Sequence, residues 1–257
     1  GSNTVQVIDS VDCFNACDAE VTISSEGGAG LPHTYFWDIG HVGTIMPDTV
    51  TGLCAGGHDI IIEDVDGCRV TVYYQISQPD ELLANAHWVD HIDCYGYDNG
   101  IAHAEATGGT TPYVFRWDTT TLNVQVNDTA YNLTPGIHTV YLEDSKGCTA
   151  SDTVLIYEPD SLYIVIQDTS TVYAYCTGTN SAYLYSIAFG GTEPYNYVWS
   201  DPLGQTTPYA DDLIAGTYSV IVLDDNGCSA SDIKAIDSVT NEMNASTAVT
   251  DISCFGL

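Results

Sequence analysis

Basic residues are almost missing from this sequence. There are four, Arg69, Arg116, Lys146 and Lys234, against 35 acidic ones, for a net charge of −31 over 257 residues. That excludes nucleic acid as a partner, because lysine and arginine must displace the counterions of a polyphosphate. It also argues against docking on an anionic lipid surface. The imbalance fits a soluble surface that repels its own copies. Long apolar runs are missing too: no stretch reaches the 18 residues of a membrane span, and no secretory leader is visible, as expected of an internal piece of a longer protein. Capped runs of helical period are absent, and only "PDELLANA" (79–86) offers a turn of helix. No Gly-x-Ser-x-Gly elbow, Cys-x-x-Cys pair or phosphate-binding glycine loop occurs, and the scattered carboxylates single out no catalytic pair, so the sequence does not read as an enzyme and implies no cofactor.

What the sequence has is hydrophobic content without helical order. Hydrophobic residues make up 44%, with 18 tyrosines, which excludes a disordered chain. Segments such as "TVQVI", "RVTVYYQI", "IHTVYLED" and "YSVIVLD" alternate apolar and polar residues with a period of two, which is strand chemistry.

The strands recur. "IEDVDGC", "LEDSKGC" and "LDDNGC" end on Cys68, Cys148 and Cys228, spaced 80 and 80; Trp37, Trp117 and Trp199 are 80 and 82 apart; a second cysteine series, Cys13, Cys94, Cys176 and Cys254, runs at 81, 82 and 78. Repeats of this size predict domains at 3–79, 80–159 and 160–237, with 238–257 as the first strand of a truncated fourth. Pro79 and Pro159 mark the first two boundaries, because proline cannot continue a sheet ladder.

Six or seven short strands per repeat, separated by Gly, Asp, Asn and Pro turns, predict an all-β chain of immunoglobulin-like sandwiches in an extended row. Leu213-x-x-Gly216-x-Tyr218 resembles the tyrosine corner of such domains, with His58 and His138 in that place in the other repeats. These, with Trp37, Trp117 and Trp199, are the expected structural core. Asp-x-x-Gly-Cys then reads as the turn between strands F and G, with Asp, Asn and Gly supplying positive φ. An 80-residue sandwich is small for its core, and periodic cysteines supply a staple and point to an oxidising, extracellular setting.

The string "GGTTPYVFRW…NLTPGIHTVYLEDSKGCTASDTVLIYEP" closely resembles the SprB-type repeat of giant surface adhesins in Bacteroidetes: Gly-Gly-x-x-Pro-Tyr-x-x-x-Trp, Leu-x-x-Gly-x-Tyr-x-Val, Asp-x-x-Gly-Cys and a closing Gln-Pro. All three repeats match; the first departs most, with the additional Cys17 and Cys54 and with His33 for the Pro-Tyr tyrosine. The resemblance implies a cell-surface protein exported by the type IX system and serving in gliding, adhesion or filaments. The leading functional expectation is a stalk segment whose partners are further repeats of the same chain. The alternatives are a glycan- or protein-binding module using loops at the sandwich ends, with a surface polymer as partner, and an accessory domain of a secreted polysaccharide-degrading enzyme.

His87 and His91, at i and i+4, could share a metal, but repeats 1 and 3 have no counterpart, and two exposed histidines in the first strand of repeat 2 is the simpler reading. Asp64, Asp66, Asp224 and Asp225 could hold calcium, yet the closing bidentate glutamate of a calcium loop is missing. Asp-(Ser/Thr)-(Ala/Ile/Leu/Val/Met/Thr) triplets, which look like the O-glycosylation sequon of Bacteroidetes, occur at Ser10, Thr49, Thr119, Thr129, Thr153, Ser161 and Ser238. Composition alone gives about two. Asp-Thr-Val is also simply how a strand starts after a turn. Asn-x-Ser/Thr triplets at Asn127, Asn132 and Asn244 are weaker in a bacterium.

Cysteine pairing follows from strand length. Cys17, in the A–B loop, and Cys54, at the E–F corner, lie at the same end of a sandwich and should bond. A–B loop and F–G turn lie at opposite ends, about 26 Å apart over eight residues, whereas bonded Cα atoms sit within about 7 Å. End-to-end stacking therefore favours Cys13–Cys148 and Cys94–Cys228, leaving Cys68 and Cys176 for neighbours outside this stretch. Pairing within a repeat, Cys94 with Cys148, stays open if strand A is shorter or differently placed.

Overall fold

The computed structural model describes residues 3–118, 125–167, 173–174 and 182–238. They form twenty strands and, among the described residues, no helix. Contacts divide the chain into two compact units, Gly1–His91 with Asp98–Tyr157, and Ile92–Tyr97 with Glu158–Leu257.

The first unit holds two sandwiches. In one, β1 (Asn3–Asp9), β2 (Ala19–Ser25) and β5 (Asp48–Leu53) form a sheet that faces β4 (Val42–Gly43), β3 (Thr34–Trp37), β6 (Gly56–Glu63) and β7 (Arg69–Ile76), each in that order. In the other, β8 (Leu83–Asp90), β9 (Gly100–Thr107) and β11 (Thr129–Leu133) face β10 (Val114–Trp117), β12 (Gly136–Glu143) and β13 (Thr149–Ile156). The second unit repeats the plan. One sheet is β14 (Tyr163–Ile166), β16 (Ala182–Phe189) and β18 (Tyr209–Leu213). The other is β17 (Asn196–Trp199), β19 (Gly216–Leu223) and β20 (Ser229–Ser238), with β15 (Tyr173–Ala174) parallel to β20. Strands A, B and E thus pack on C, F and G, the immunoglobulin-like arrangement.

Alternation puts the core between the sheets. Along β12, His138, Val140 and Leu142 point inward, and along β9 Gly100, Ala102 and Ala104 do so. The small alanines of one sheet make room for the large Trp117 of the other, which is 1% exposed; Trp37 and Trp199 are buried likewise. Each indole N–H donates to an acceptor on the opposite sheet's side: Trp37 to Asp48 Oδ2 at 2.7 Å, Trp117 to the Asn127 carbonyl at 3.1 Å, and Trp199 to the Thr207 carbonyl at 2.9 Å. An indole can fill such a core only with its polar edge satisfied.

Two local expectations need correcting. The helical turn over 79–86 does not form; Leu83–Asp90 is strand β8, paired antiparallel with β9. A single turn is marginal in water, whereas this segment gains a ladder, buries Leu82, and donates Ala86 N–H to Asp152 Oδ2 of β13 at 2.8 Å. In the third sandwich Ile166 N–H donates to Asp232 Oδ2 at 2.7 Å in the same way. The second correction concerns the F–G turns. Only their glycines, Gly67, Gly147 and Gly227, have positive φ (78°, 82° and 82°), while the aspartates act through their carboxylates.

Truncating Trp117 to alanine leaves a hole that flanking Ala102 and Ala104 cannot fill. Trp117→Ala is expected to lower stability by about 3–5 kcal/mol, seen as a drop in the urea midpoint.

Candidate functional site

The candidate disulfide residues gather at the ends of the sandwiches, where the F–G turns carry Cys68, Cys148 and Cys228. In the second sandwich Asp144 Oδ1 accepts the N–H groups of Lys146 and Cys148, both at 2.9 Å, and Oδ2 accepts that of Thr110 at 2.8 Å. Asp64 does the same with Asp66, Cys68 and Ala29, and Asp224 with Cys228 and Thr192. One carboxylate thereby shapes the turn, aims the cysteine and ties the turn to the loop between strands B and C. Burial alone pushes the Asp144 carboxyl up; amide donation from Thr110, Cys148, Lys146 and Gly147 outweighs it and leaves the group below the ordinary aspartate range. Asp64 is lowered as well, chiefly by the Ala29 N–H. The oxygens of Asp64 and Asp224 that calcium would need face N–H donors. These turns are built around amides, and the aspartates read as calcium candidates have structural work here. Among the described residues no group of three or more His, Cys, Asp or Glu is placed to hold a metal.

The glycine pair preceding strand C belongs to the same network. Gly108 has φ +71°, and a Cβ there would lie 1.9 Å from the Glu81 carbonyl oxygen; one on Gly109 would lie 2.7 Å from Asp144 Oδ2. Gly109 N–H donates to the Asp80 carbonyl at 2.9 Å, so this loop grips the chain just after Pro79.

The structure brings three cysteine pairs together. Cys13 bonds Cys148 (Cα–Cα 5.6 Å), Cys94 bonds Cys228 (5.7 Å) and Cys17 bonds Cys54 (3.9 Å). Cys94 and Cys148, the open alternative, are therefore in different bonds. Cys68 is exposed and unpaired, and Cys176 and Cys254 lie outside the described residues. Within the first unit the A–B loop of the first sandwich sits on the F–G turn of the second, where Lys146 Nζ meets Asp12 Oδ1 at 2.5 Å and Asp9 Oδ1 at 3.9 Å. A hydrogen bond from Lys146 to Asp12 holds its ammonium above the usual lysine range. Within the second unit the segment Ile92–Tyr97 sits on the third sandwich, where Asn226 Nδ2 donates to the Asp93 carbonyl at 2.9 Å.

Tyr218 Oη donates to the Ile214 carbonyl at 3.1 Å, making the corner; His58 Nε2 reaches the Cys54 carbonyl at 2.9 Å and His138 Nε2 the Thr134 carbonyl at 2.8 Å. Each acceptor is four residues upstream. The histidines have a second contact that sequence reasoning missed, Nδ1 against Asp38 and Asp118. Its signal was available, since Asp follows Trp in both these repeats and Ser200 follows it in the third. His33 likewise replaces a tyrosine: its Nε2 approaches the Gly27 carbonyl at 3.0 Å, where Tyr113 and Tyr195 donate to Gly108 and Gly190. His87 is exposed, with its ring near His103, whereas His91 is stacked on Trp88 with ring centroids 4.3 Å apart.

The hydroxyls read as glycosylation candidates fall into different environments. Thr49, Thr153 and Ser161 are exposed; Ser10 and Thr129 are half-buried, and Thr129 Oγ1 is engaged by Asp128 and His103. Thr119 and the Ser238 side chain lie outside the described residues. The aspartate of one triplet, Asp152, is held by strand A, and its equivalent Asp232 keeps that bond though isoleucine follows it.

Two outcomes follow from these environments. Because the Asp144 pKa is depressed in the folded state, its stabilisation is present above the unfolded value near 3.9 and is lost as pH falls through the folded value. Asp144→Asn is expected to be less stable at pH 7 by about 1–3 kcal/mol, since an amide NH₂ would face N–H donors, and to lose less stability than the parent between about pH 5 and pH 2; thermal melts across that range check both. For protein from its native source, intact-mass and peptide mapping should find glycan on Thr49, Thr153 or Ser161 before Thr129; a bare mass would remove the modification altogether.

No protein-family model matches the chain, and no curated protein matches it, so the SprB-type resemblance rests on the residues quoted above. Among solved structures, the three N-terminal domains of the bacteriophage RB49 Highly Immunogenic Outer Capsid protein are similar over 93% of this chain and 100% of theirs, at 15% identity and a TM-score of 0.43. A C-terminal fragment of intimin, solved with the intimin-binding domain of its translocated receptor, is similar over 68% of this chain and 70% of that one, at 14% and 0.36. A tetra-tandem repeat from the extending region of a large adhesion protein is similar over 91% and 74%, at 13% and 0.30.

Proposed function

We propose that the chain is a load-bearing stalk segment of a large cell-surface adhesin or extracellular filament, of the SprB type, with further repeats of its own kind as partners. The observation that carries this reading is the interleaving of two disulfides along the sequence: Cys94 falls between Cys13 and Cys148, and Cys148 between Cys94 and Cys228. The shortest covalent route runs to Cys13, across to Cys148, back to Cys94, across to Cys228 and on to the end. It contains about 95 residues of backbone instead of 257, so a fully stretched chain is limited to roughly 320 Å at about 3.4 Å per residue. A ladder of this kind protects the first and third sandwiches under tension, since most of each lies off the loaded route, while 94–148 of the second lies on it. Three disulfides also suit an oxidising, extracellular location.

A binding role has one specific observation in its favour. Trp88 is 54% exposed and stacked on His91, with Tyr157 edge-on to that ring, and such aromatic faces suit sugar rings or polymers. Trp88→Ala would abolish retention on a glycan array if this patch were the site, and leave the mechanical behaviour intact.

Single-molecule stretching of the oxidised chain between its ends should stop near 320 Å; under reducing agent the limit should approach the full contour, roughly 870 Å. Equal extensions in the two conditions would defeat the stalk reading as stated.

A further inference from the structure

The two occupied turns contain a rule about which loop each accepts. The loops Val11-Asp12-Cys13-Phe14-Asn15 and Ile92-Asp93-Cys94-Tyr95-Gly96 share one formula: an aliphatic residue buried to 3% exposure, any residue, cysteine, an aromatic, and a residue of positive φ (Asn15 59°, Gly96 79°). Each closes into a tight turn, Ala16 N–H donating to the Cys13 carbonyl at 2.9 Å and Tyr97 N–H to the Cys94 carbonyl at 3.0 Å. The positive-φ residue is pinned as well, Asn15 N–H by Gln78 Oε1 at 2.9 Å and Gly96 N–H by Glu158 Oε2 at 3.0 Å. Such a loop is a plug held in its turn by hydrogen bonds that do not involve its sulfur.

In both sockets the residue two before the F–G cysteine meets the residue ahead of the plug cysteine. Lys146 meets the Asp12 carboxylate, and Asn226 donates to the Asp93 carbonyl. Both readers are hydrogen-bond donors. The third copy of the turn, around Cys68, has the same aspartate-held geometry. Its cysteine is exposed and unpaired and borders a cavity of about 230 Å³ lined by His33, Asp64 and Arg69 among others. At the reader position it has Asp66, which only accepts. A plug seated like 11–15, with its aspartate facing the reader position as Asp12 faces Lys146, would set two carboxylates against each other there.

We propose that the Cys68 turn is a third socket, selective for a plug in which a hydrogen-bond donor precedes the cysteine, and that its occupant is a loop of the class aliphatic-Ser-Cys-aromatic-Gly. This chain has one such sequence, Ile252-Ser253-Cys254-Phe255-Gly256, and a second copy can therefore supply it. The bond forms by exchange: the Cys68 thiol gives its proton to solvent, the thiolate attacks the cysteine sulfur of a mixed disulfide on the plug, that S–S bond breaks, and the leaving thiolate takes the electron pair. The inference goes beyond the stalk reading, because it concerns which loop a turn selects and holds whatever load the chain bears.

The test uses the full chain with Cys176→Ser and Cys254→Ser, so that Cys68 is the remaining thiol. Its partners are the synthetic peptide TDISCFGL, copied from 250–257 and activated as its thiopyridyl mixed disulfide, and the same peptide with Ser253→Asp. Release of pyridine-2-thione gives the rates, each divided by the rate with a neutral small thiopyridyl disulfide to remove intrinsic thiol reactivity. Mass spectrometry locates the adduct, and near-UV circular dichroism verifies folding. The serine peptide should react at least tenfold faster than the aspartate peptide; Asp66→Asn should shrink the gap and Asp66→Lys should reverse the order. Equal normalised rates for the two peptides, or an order that survives Asp66→Lys, overturns the proposal; the stretching experiment is unaffected either way.

Discussion

The end of each sandwich depends on one carboxylate in its F–G turn, buried at Asp144 and Asp224 and half-buried at Asp64. Asp144 accepts amide hydrogens from its own turn and from the B–C loop, and so fixes where Cys148 points. Neighbouring sequence constraints follow from that contact. Gly109 has no side chain because Asp144 occupies the space, Gly108 has none because the Glu81 carbonyl does, and Gly147 supplies the left-handed backbone that lets Cys148 N–H turn back. Gly-Gly and Asp-x-x-Gly-Cys, about 35 residues apart in sequence, are two halves of one hydrogen-bonded structure. A cysteine on a loose turn would find its partner only at the entropic cost of ordering that turn; here hydrogen bonds to the Asp144 carboxylate hold the turn independently of sulfur.

Elsewhere the framework tolerates exchange of donors while keeping acceptors fixed. Tyrosine and histidine alternate at the corner, each reaching a backbone carbonyl four residues upstream, and again in the Pro-Tyr position, where Tyr113 and Tyr195 reach five residues back and His33 six. A phenol and an imidazole each present a polar hydrogen at the tip. The second imidazole nitrogen then needs a partner, and the residue after the core tryptophan supplies it as Asp38 or Asp118. Where the corner is Tyr218, that position is Ser200, whose Oγ accepts the Ser219 N–H at 2.9 Å. A pair of residues 20 apart is exchanged together because their contact is one unit.

Period-two alternation, recurring tryptophans and 80-residue cysteine spacing made the sandwich and its multiplicity legible, since each records a contact repeated three times. Single-copy or weakly patterned features were not. Strand β8 is mostly exposed, so "LANAHWVD" has no apolar alternation to announce it, and its pairing comes from β9 and Asp152 instead. Asp-Thr triplets read as modification sites conceal an aspartate bonded to strand A, a tertiary contact that no local pattern displays. Composition likewise reports the charge of the acidic turns and not which way an oxygen faces; the carboxylates of Asp64, Asp144 and Asp224 face backbone amides.

The charge imbalance explains why bonds between sulfurs are needed at all. Arg69 pairs with Glu63, Arg116 with Glu143, and Lys146 with Asp9 and Asp12, so these scarce cations are committed to local contacts. Most of the remaining acid is uncompensated, and similar negative ends repel within a Debye length of about 8–10 Å at physiological salt. A noncovalent joint under such repulsion would loosen as salt fell. The Lys146 contact opposes this locally, but it is partly exposed, and exposed ion pairs contribute little. A disulfide is indifferent to ionic strength, so it separates the two demands: charge keeps separate molecules apart in solution, while sulfur holds each loop on its turn.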